Sequence, residues 1–366
     1  MPCVAWLNGY PDRKEELDIM NTWRLEIVSP EKYCEWFEAN WPKLKYRSPF
    51  HHPAWLETVA RGINFKTGYM GFYEGRELVA VMPGFRTRRG PFRLYGSPLR
   101  GTMTSHLGPV GLKPLWTDQN LMELLEACTA FVRKTWGGVY FRFSLPEAPA
   151  SNLPVKRNWQ NQNPGTYISD LSMGREELWK GLKSDCRRNV RRAQDAGMEV
   201  VPFDDARLFY YMIDQTFRRH NSTSWHKEVF FQLLFDELIS KDLLWSRGVK
   251  YEGKIIAAAL FLHDDQDVIF ISGASLPEYG SLPTSYLLHW NAIEIGVQMG
   301  LKAYHSDRSR VPSIDQFKES FRPVLQKRYT LIWAPGYVRS AERVFLLGVA
   351  RLRQLNSLLD RKSKHA

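Results

Sequence analysis

Apolar and polar positions alternate over Trp23–Val28 as they do in a half-buried strand. Residues 67–73 and 77–82 form two further strand-like runs, and Glu74-Gly75 between them predicts a hairpin turn. The period then lengthens. Leu121, Leu124, Leu125, Cys128 and Val132 fall on one face of a predicted helix over 121–134, and 138–144 reads as a buried strand. Ser29-Pro30-Glu31 predicts a helix start running through Phe37, and Ser48-Pro49-Phe50 leads into a short helix over 53–61. Residues 83–112 are rich in Gly, Pro and Arg.

The second half opens with a predicted strand over 166–171 and a helix over 176–196, which Gly197 stops. Beyond a strand starting at Val200, helices are predicted over 206–217 and 227–239. Strands follow at 244–251, 255–262 and 268–272. A long helix over 281–299, a short strand at 304–306 and a last strand at 329–333 complete the pattern. The order is mixed α/β rather than a regular βαβ repeat.

One phrase recurs at domain spacing. Tyr73-Glu74-Gly75-Arg76 precedes Leu78-Val79-Ala80, and Tyr251-Glu252-Gly253-Lys254 precedes Ile255-Ile256-Ala257. Three matching residues alone mean little. The flanks match too, with a helix-like segment before each copy and an apolar strand after it, which predicts two copies of one α/β unit. The expected organisation is a lead-in over 1–22, a first unit over 23–157 and a polar linker over 158–165. A second unit over 166–336 and a basic C-terminal helix over 337–366 complete it. In that last segment Phe345, Leu352, Leu355 and Leu359 share a face suited to an anionic membrane or to the protein's own body.

Composition narrows the function classes. The 366 residues carry a net charge of +11, which points to an anionic partner such as a phosphorylated donor, a nucleic acid or an anionic membrane; simple solubility is the competing explanation. Four separated cysteines without a C-x-x-C pair argue for reduced thiols and a cytoplasmic setting. The first residues lack a signal-peptide pattern, and the longest uncharged run, 279–293, falls short of the ~20 apolar residues of a membrane span. Neither GxGxxG nor GxxxxGK[ST] occurs. His51-His52, His220, His226 and His305 show no ligand spacing, so no metal site is expected.

Three stretches could carry chemistry. Six cations lie between Lys180 and Arg192, with Lys183, Arg187 and Arg191 on one ridge beside Arg188 and Arg192, and Asp185 the sole acid among them. Like charges at helical spacing destabilise by ~0.2–0.5 kcal/mol per pair, so a bound anion would compensate them; a merely solvated basic face is the alternative. Next come Asp307-Arg308 and Phe317-Lys318-x-x-Phe321, where two aromatics anchor a helix face and hold Lys318 beside them. A desolvated lysine there could stabilise developing negative charge; a snorkelling surface lysine is the alternative. The third is Gly273-Ala274-Ser275 with Leu282-Pro283-Thr284-Ser285, either a phosphate cradle at a helix start or an ordinary connection.

These pieces resemble the FemAB-like branch of the GNAT acyltransferase superfamily. The resemblance rests on Lys183-Ser184-Asp185-Cys186-Arg187-Arg188-Asn189-Val190-Arg191-Arg192-Ala193 closing at Gly197, Gly273-Ala274-Ser275 with Pro283, residues 304–309, and Phe317-Lys318-x-x-Phe321. In the first half it rests on Ser48-Pro49-Phe50 with Trp55, the Tyr-Glu-Gly hairpin running to Met82-Pro83, and Leu107-Gly108-Pro109. It implies two tandem GNAT-like domains, each a mixed, mainly antiparallel sheet flanked by helices. It also implies acyl transfer to an amine, from acyl-CoA (acetyl-CoA foremost) or from aminoacyl-tRNA, onto a small-molecule or saccharide acceptor of the cell envelope. Lys318 would assist the reaction electrostatically. Asp307 and Arg308 would position the site, Tyr286 and His305 are candidates for proton transfer, and Lys183, Arg187, Arg191, Ser275 and Ser285 would hold the donor. The long helical-hairpin insertion of some tRNA-using members has no counterpart, and the second half lacks an evident pyrophosphate loop.

Overall fold

A computed structural model of the chain describes residues 17–19, 23–117, 120–145, 158–162, 165–219, 222–309 and 311–344. β1 (Leu17–Ile19) and β2 (Trp23–Val28) lead into α1 (Pro30–Asn40) and α2 (Pro53–Gly62). β3 (Lys66–Glu74), β4 (Glu77–Arg89), β5 (Phe92–Ser97) and β6 (Val110–Gly111) precede α3 (Leu121–Trp136) and β7 (Tyr140–Leu145). β8 (Trp159–Gln162) and β9 (Gly165–Asp170) are followed by α4 (Gly174–Gly181), α5 (Ser184–Asp195), β10 (Glu199–Pro202) and α6 (Ala206–Arg219). Next is α7 (Glu228–Leu234), which continues as a π-helix over Phe235–Ile239. β11 (Leu244–Tyr251), β12 (Lys254–His263) and β13 (Asp267–Ser275) lead to α8 (Thr284–Gln298), β14 (Ala303–Asp307) and α9 (Pro312–Glu319). β15 (Val324–Lys327) and β16 (Tyr329–Trp333) close the described strands, and the backbone is helical over 336–344. The apolar face expected beyond that point, and His220, lie outside the described residues.

The repeat is real in three dimensions. One sheet runs β1-β2-β3-β4-β5-β7-β16-β8, with β6 on β4; the other runs β10-β11-β12-β13-β14-β9-β15. In both, an antiparallel hairpin (β3–β4, β11–β12) is followed by one parallel pair (β5–β7, β13–β14) bridged by a helix (α3, α8). The Tyr-Glu-Gly phrase turns each hairpin, with Gly75 at φ 58° and Gly253 at φ 79°. Glycine reaches this left-handed region without the Cβ penalty other residues meet.

The sheets do not follow the expected boundary. Residues read as a linker form β8 and pair with β16 in the first sheet, while β9, two residues further on, lies between β14 and β15 in the second. β15 belongs to the second sheet and β16, after the single residue Arg328, pairs with β7 in the first. The chain therefore passes between sheets twice: the second sheet is built from residues 165–327, while the first takes β16 from the far side of that unit. The helix expected over 176–196 is also two helices. Leu182 and Lys183 are extended (ψ 146° and 152°), and Lys183 N–H donates to Ser320 O at 2.9 Å, which docks the break against the end of α9.

Three hydrophobic layers hold this arrangement. α3 covers the outer face of the first sheet through Leu124, Phe131 and Trp136. α5 and α8 cover the outer face of the second through Cys186, Val190, Leu288 and Trp290. Between the sheets a single shared core joins Trp55, Val59 and Phe85 of the first half to Phe209, Phe231, Leu260 and Ile269 of the second. Gly62 is where α2 meets α7: a Cβ there would lie 2.6 Å from Phe230 Cδ2. Arg47 reinforces the junction, donating to both carboxylate oxygens of Asp265 at 2.8 and 3.0 Å while lying 4.2 Å over Trp41. Cys128 and Cys186 are buried and free, whereas Cys34 is disulfide-bonded, which corrects the expectation of reduced thiols at that position.

Candidate functional site

The site begins with an interrupted ladder. β13 and β14 pair in parallel at Asp267↔Ala303, Val268↔Tyr304 and Ile269↔His305. Beyond that point β13 continues only along β12, and β14 only along β9. The two strands splay apart, leaving backbone groups without a ladder partner across the opening. The equivalent pair in the first sheet stays closed. β5 and β7 are in register to the last residue, Ser97↔Phe143, and the buried Arg142 donates to Pro98 O at 2.6 Å across the end.

Lys318 occupies the mouth of the splay. It is 8% exposed, its ammonium donates to the backbone carbonyl of Asp307, the last residue of β14, and it lies 5.7 Å from the centre of the Phe270 ring. Burial lowers its pKa from the usual lysine value, and the carboxylates of Asp307 and Asp315 oppose that shift. The motif explains the placement. Phe317 and Phe321, their rings 5.5 Å apart, pack against Tyr286 (4.8 Å from Phe317) and His289 (5.0 Å from Phe317), so Lys318 is carried inward with them. His289 is buried, bonded to Tyr304 Oη, and kept neutral: burial first and Lys318 second lower its pKa to about 3.

The other expected residues separate into groups. Arg308 and Asp307 stand beside Lys318. Arg308 Nε donates to Asp315 Oδ2 at 3.2 Å, and Ser309 N–H donates to Asp315 Oδ1 at 2.6 Å, so Asp315 ties the end of β14 to α9. Tyr286 borders the aromatic wall, with its hydroxyl turned toward Asn189 and Ser320 and held above the usual phenol range, burial being the largest cause. His305, the last residue paired across the two strands, has Nε2 3.4 Å from Asp267 Oδ1, and neither ring nitrogen makes a hydrogen bond among the described residues.

The basic helix divides. Arg187 Nη1 donates to Lys180 O at 2.9 Å and to Leu182 O, which seals the break between α4 and α5, and Arg187 also lines the groove formed by the exposed arginines of α5. Lys183 is the residue before α5 and caps it without a side-chain bond. Arg188, Arg191 and Arg192 are exposed and line an open groove of about 700 Å³ with Ser184 and Asp195; Arg191 also lies 5.6 Å over Trp179. Ser275 ends β13 and Ser285 is exposed in the first turn of α8, whose N-terminus follows Pro283 and has no side-chain cap. These groups, the open splay and the basic groove fit an anionic donor with a slender acyl arm.

Sequence reasoning missed Asp315, Arg328 and His106. Asp315 was readable three residues before Lys318 on one helix, the spacing at which opposite charges meet. Arg328 gave no local signal beyond a cation immediately before an apolar strand. Among the described residues no helix is long and apolar enough to cross a membrane, and no group of three or more His, Cys, Asp or Glu could hold a metal ion.

Comparison with known proteins agrees with this geometry. Residues 180–318 match the family described as an acetyltransferase (GNAT) domain. No curated protein matches significantly in sequence. Among solved structures, the chain is similar to FemX, at 12% identity and a TM-score of 0.61, covering 84% of this chain and 96% of that one. It is also similar to a tandem GNAT protein from the clavulanic acid biosynthesis pathway, at 10% identity and a TM-score of 0.52 over 85% and 98% of the two chains. A third likeness is to the C-terminal domain of a lysylphosphatidylglycerol synthetase from Agrobacterium fabrum, at 13% identity and a TM-score of 0.51 over 86% and 96%. At these identities the likeness is one of fold.

Proposed function

We propose, from the premise that this chain is a tandem-GNAT protein of the FemAB-like branch, that it is an N-acyltransferase. It moves an acyl group from acyl-CoA to an amine of a cell-envelope or polysaccharide precursor. The observation that carries this reading is the splay between β13 and β14 with the buried Lys318 ammonium at its mouth. A thioester carbonyl lodged there meets a fixed positive charge in a low-dielectric setting, where stabilisation of an oxyanion is strongest. The amine attacks the carbonyl, the thiolate leaves, and positioning supplies much of the rate without an enzyme nucleophile. Arg188, Arg191 and Arg192 and the start of α8, with Ser285, are the groups for the donor's phosphates. His305, with Nε2 3.4 Å from Asp267 Oδ1, is the candidate to take the amine proton.

A second reading has its own support. The groove on α5 is open rather than enclosed, which suits a polyanion as well as a nucleotide, and FemX is among the similar folds. On that reading the donor is an aminoacyl-tRNA, and binding weakens steeply with salt. The deciding experiment offers the purified protein radiolabelled acetyl-CoA or charged tRNA with a panel of amine acceptors. Transfer from acetyl-CoA is expected. Transfer from charged tRNA alone rejects the acyl-CoA reading in favour of the second, and transfer from neither rejects both in favour of a non-catalytic module.

A further inference from the structure

We infer that Arg328 is a positioning residue that makes the Lys318 site dependent on the first half of the chain. The inference rests on the reading of Lys318 given above and extends it to a residue outside the matched acetyltransferase domain.

Arg328 is the one residue between β15 of the second sheet and β16 of the first. It is 8% exposed. Its Nη1 donates to Ser105 Oγ at 3.2 Å and to His106 Nδ1, both on the first half's 102–109 segment. The same nitrogen approaches Asp307 Oδ1 at 3.4 Å. Asp307 in turn offers its backbone carbonyl to Lys318. One guanidinium nitrogen thus joins a first-half loop to the residue that holds the lysine.

The first-half end of this link is half-buried and packed. His106 packs edge-on to Phe50 at 5.0 Å, and Ser105 Oγ lies 3.0 Å from His106 Nδ1. Nearby, His51 is fully buried between Ser48 Oγ at 3.0 Å and Gly108 O at 3.3 Å. Burial, with Arg328 the next cause, keeps His106 neutral and therefore able to accept from Arg328. The charged and titratable groups facing Lys318 are Asp307 on β14, Asp315 on α9 and the neutral His289 on α8. Those facing Arg328 are Asp307, Asp267 and His106. Asp307 is the acid common to both sets, so Arg328 governs how much of its charge Lys318 experiences.

The test uses the full chain with isotopically labelled lysine, following the Lys318 signal by NMR titration and assigning it by its loss in Lys318→Met. Arg328→Gln removes the cation facing Asp307. The Lys318 midpoint should then move upward, and kcat should fall by ~10–100-fold with KM for the donor within about threefold. Arg328→Lys keeps the charge, but its stem ends one atom short of the Nη1 position that makes all three contacts: the midpoint should return toward that of the parent while kcat stays ~5–10-fold low. A folded Arg328→Gln protein with an unmoved Lys318 midpoint overturns the inference, because a merely structural residue changes stability without changing that titration. Should Arg328→Gln not fold, Arg328→Lys decides alone, and an unchanged kcat overturns the inference. If Lys318→Met is fully active, the reading of the site fails, and the titration of Lys318 still decides whether Arg328 controls it.

Discussion

Replacing Lys318 with Met separates catalysis from stability, because the two should move in opposite directions. Methionine keeps an unbranched stem of similar reach between Phe270, Phe317 and His289, so the cavity term stays small. What is lost is one charge-assisted hydrogen bond to Asp307 O, worth ~1.5–3 kcal/mol. A cation–π contact with Phe270 is lost too, worth ~1–2 kcal/mol when desolvated. What is recovered is the desolvation of a buried ammonium, several kcal/mol. The lowered pKa of Lys318 runs the same way: burial outweighs the attraction of Asp307 and Asp315, so the charged form is less favoured in the fold than in water. Lys318→Met should therefore be as stable as the parent at neutral pH or more stable by ~1–2 kcal/mol. Acyl transfer should fall ~100–1000-fold, the usual cost of one removed oxyanion stabiliser. The pH dependence follows. Below its lowered folded pKa, Lys318 is charged in both states and its cost is fully present. As pH rises from there toward 10.5 the folded protein releases the proton first, and the parent gains stability that the variant does not. Thermal unfolding of both proteins from pH 7 to 10.5, with initial rates of transfer, checks each part. A variant that loses more than ~2 kcal/mol yet transfers normally would refute the reasoning and leave Lys318 a structural residue.

Three further outcomes are expected. Changing Arg188, Arg191 and Arg192 together to Gln should raise donor KM ~10-fold or more and flatten its salt dependence while kcat holds, because on the proposed reading these exposed groups would meet the donor's phosphates and not the reacting carbonyl. His289→Phe should lessen acid sensitivity. The unfolded histidine takes a proton near pH 6.5 and the folded one only near pH 3, so the parent loses up to ~1.4 kcal/mol per pH unit as pH falls through that window, and equilibrium unfolding should show a shallower decline in the variant. A double-mutant cycle on Arg47→Ala and Asp265→Ala should return a coupling of ~0.5–1.5 kcal/mol, above an ordinary surface pair because Arg47 is bidentate and 6% exposed, yet limited because Asp265 is 55% exposed.

Periodicity made the tandem α/β architecture legible because each hairpin carries its own turn residues and each long helix its own apolar face. Gly75 and Gly253 turn the chain as expected, and the helix drawn from Leu121, Leu124, Leu125 and Cys128 is α3. The errors arose where a segment's environment lies far away in sequence. The polar stretch Trp159–Gln162 reads as a linker by composition, but β16, at the other end of the chain, gives it a ladder. The helix break at Leu182-Lys183 has no Gly or Pro to announce it; it is held by Ser320 and Arg187, which satisfy backbone groups the break leaves open. β5 was hidden among glycine, proline and arginine, and its burial comes from the neighbouring β4 and β7. At the site, Lys318 was legible because Phe317 and Phe321 flank it. Arg187 has a second duty that its charge does not reveal, since Nη1 bonds backbone carbonyls while the residue also lines the basic groove.

The strand returned from the far end of the chain bears on how such a chain can evolve. After a duplication each copy could in principle drift or be deleted, especially the one whose parallel pair is closed. Here the dependence is unequal. Without β16 the fully buried β7 becomes a bare sheet edge, whereas the second sheet is complete within 165–327. A gene fragment ending at Gln162 would thus encode an aggregation-prone half, and one spanning 165–327 would keep its ladder but bare its side of the shared core. The first copy covers a face that the second cannot leave open to water, and that duty persists whether or not it reacts.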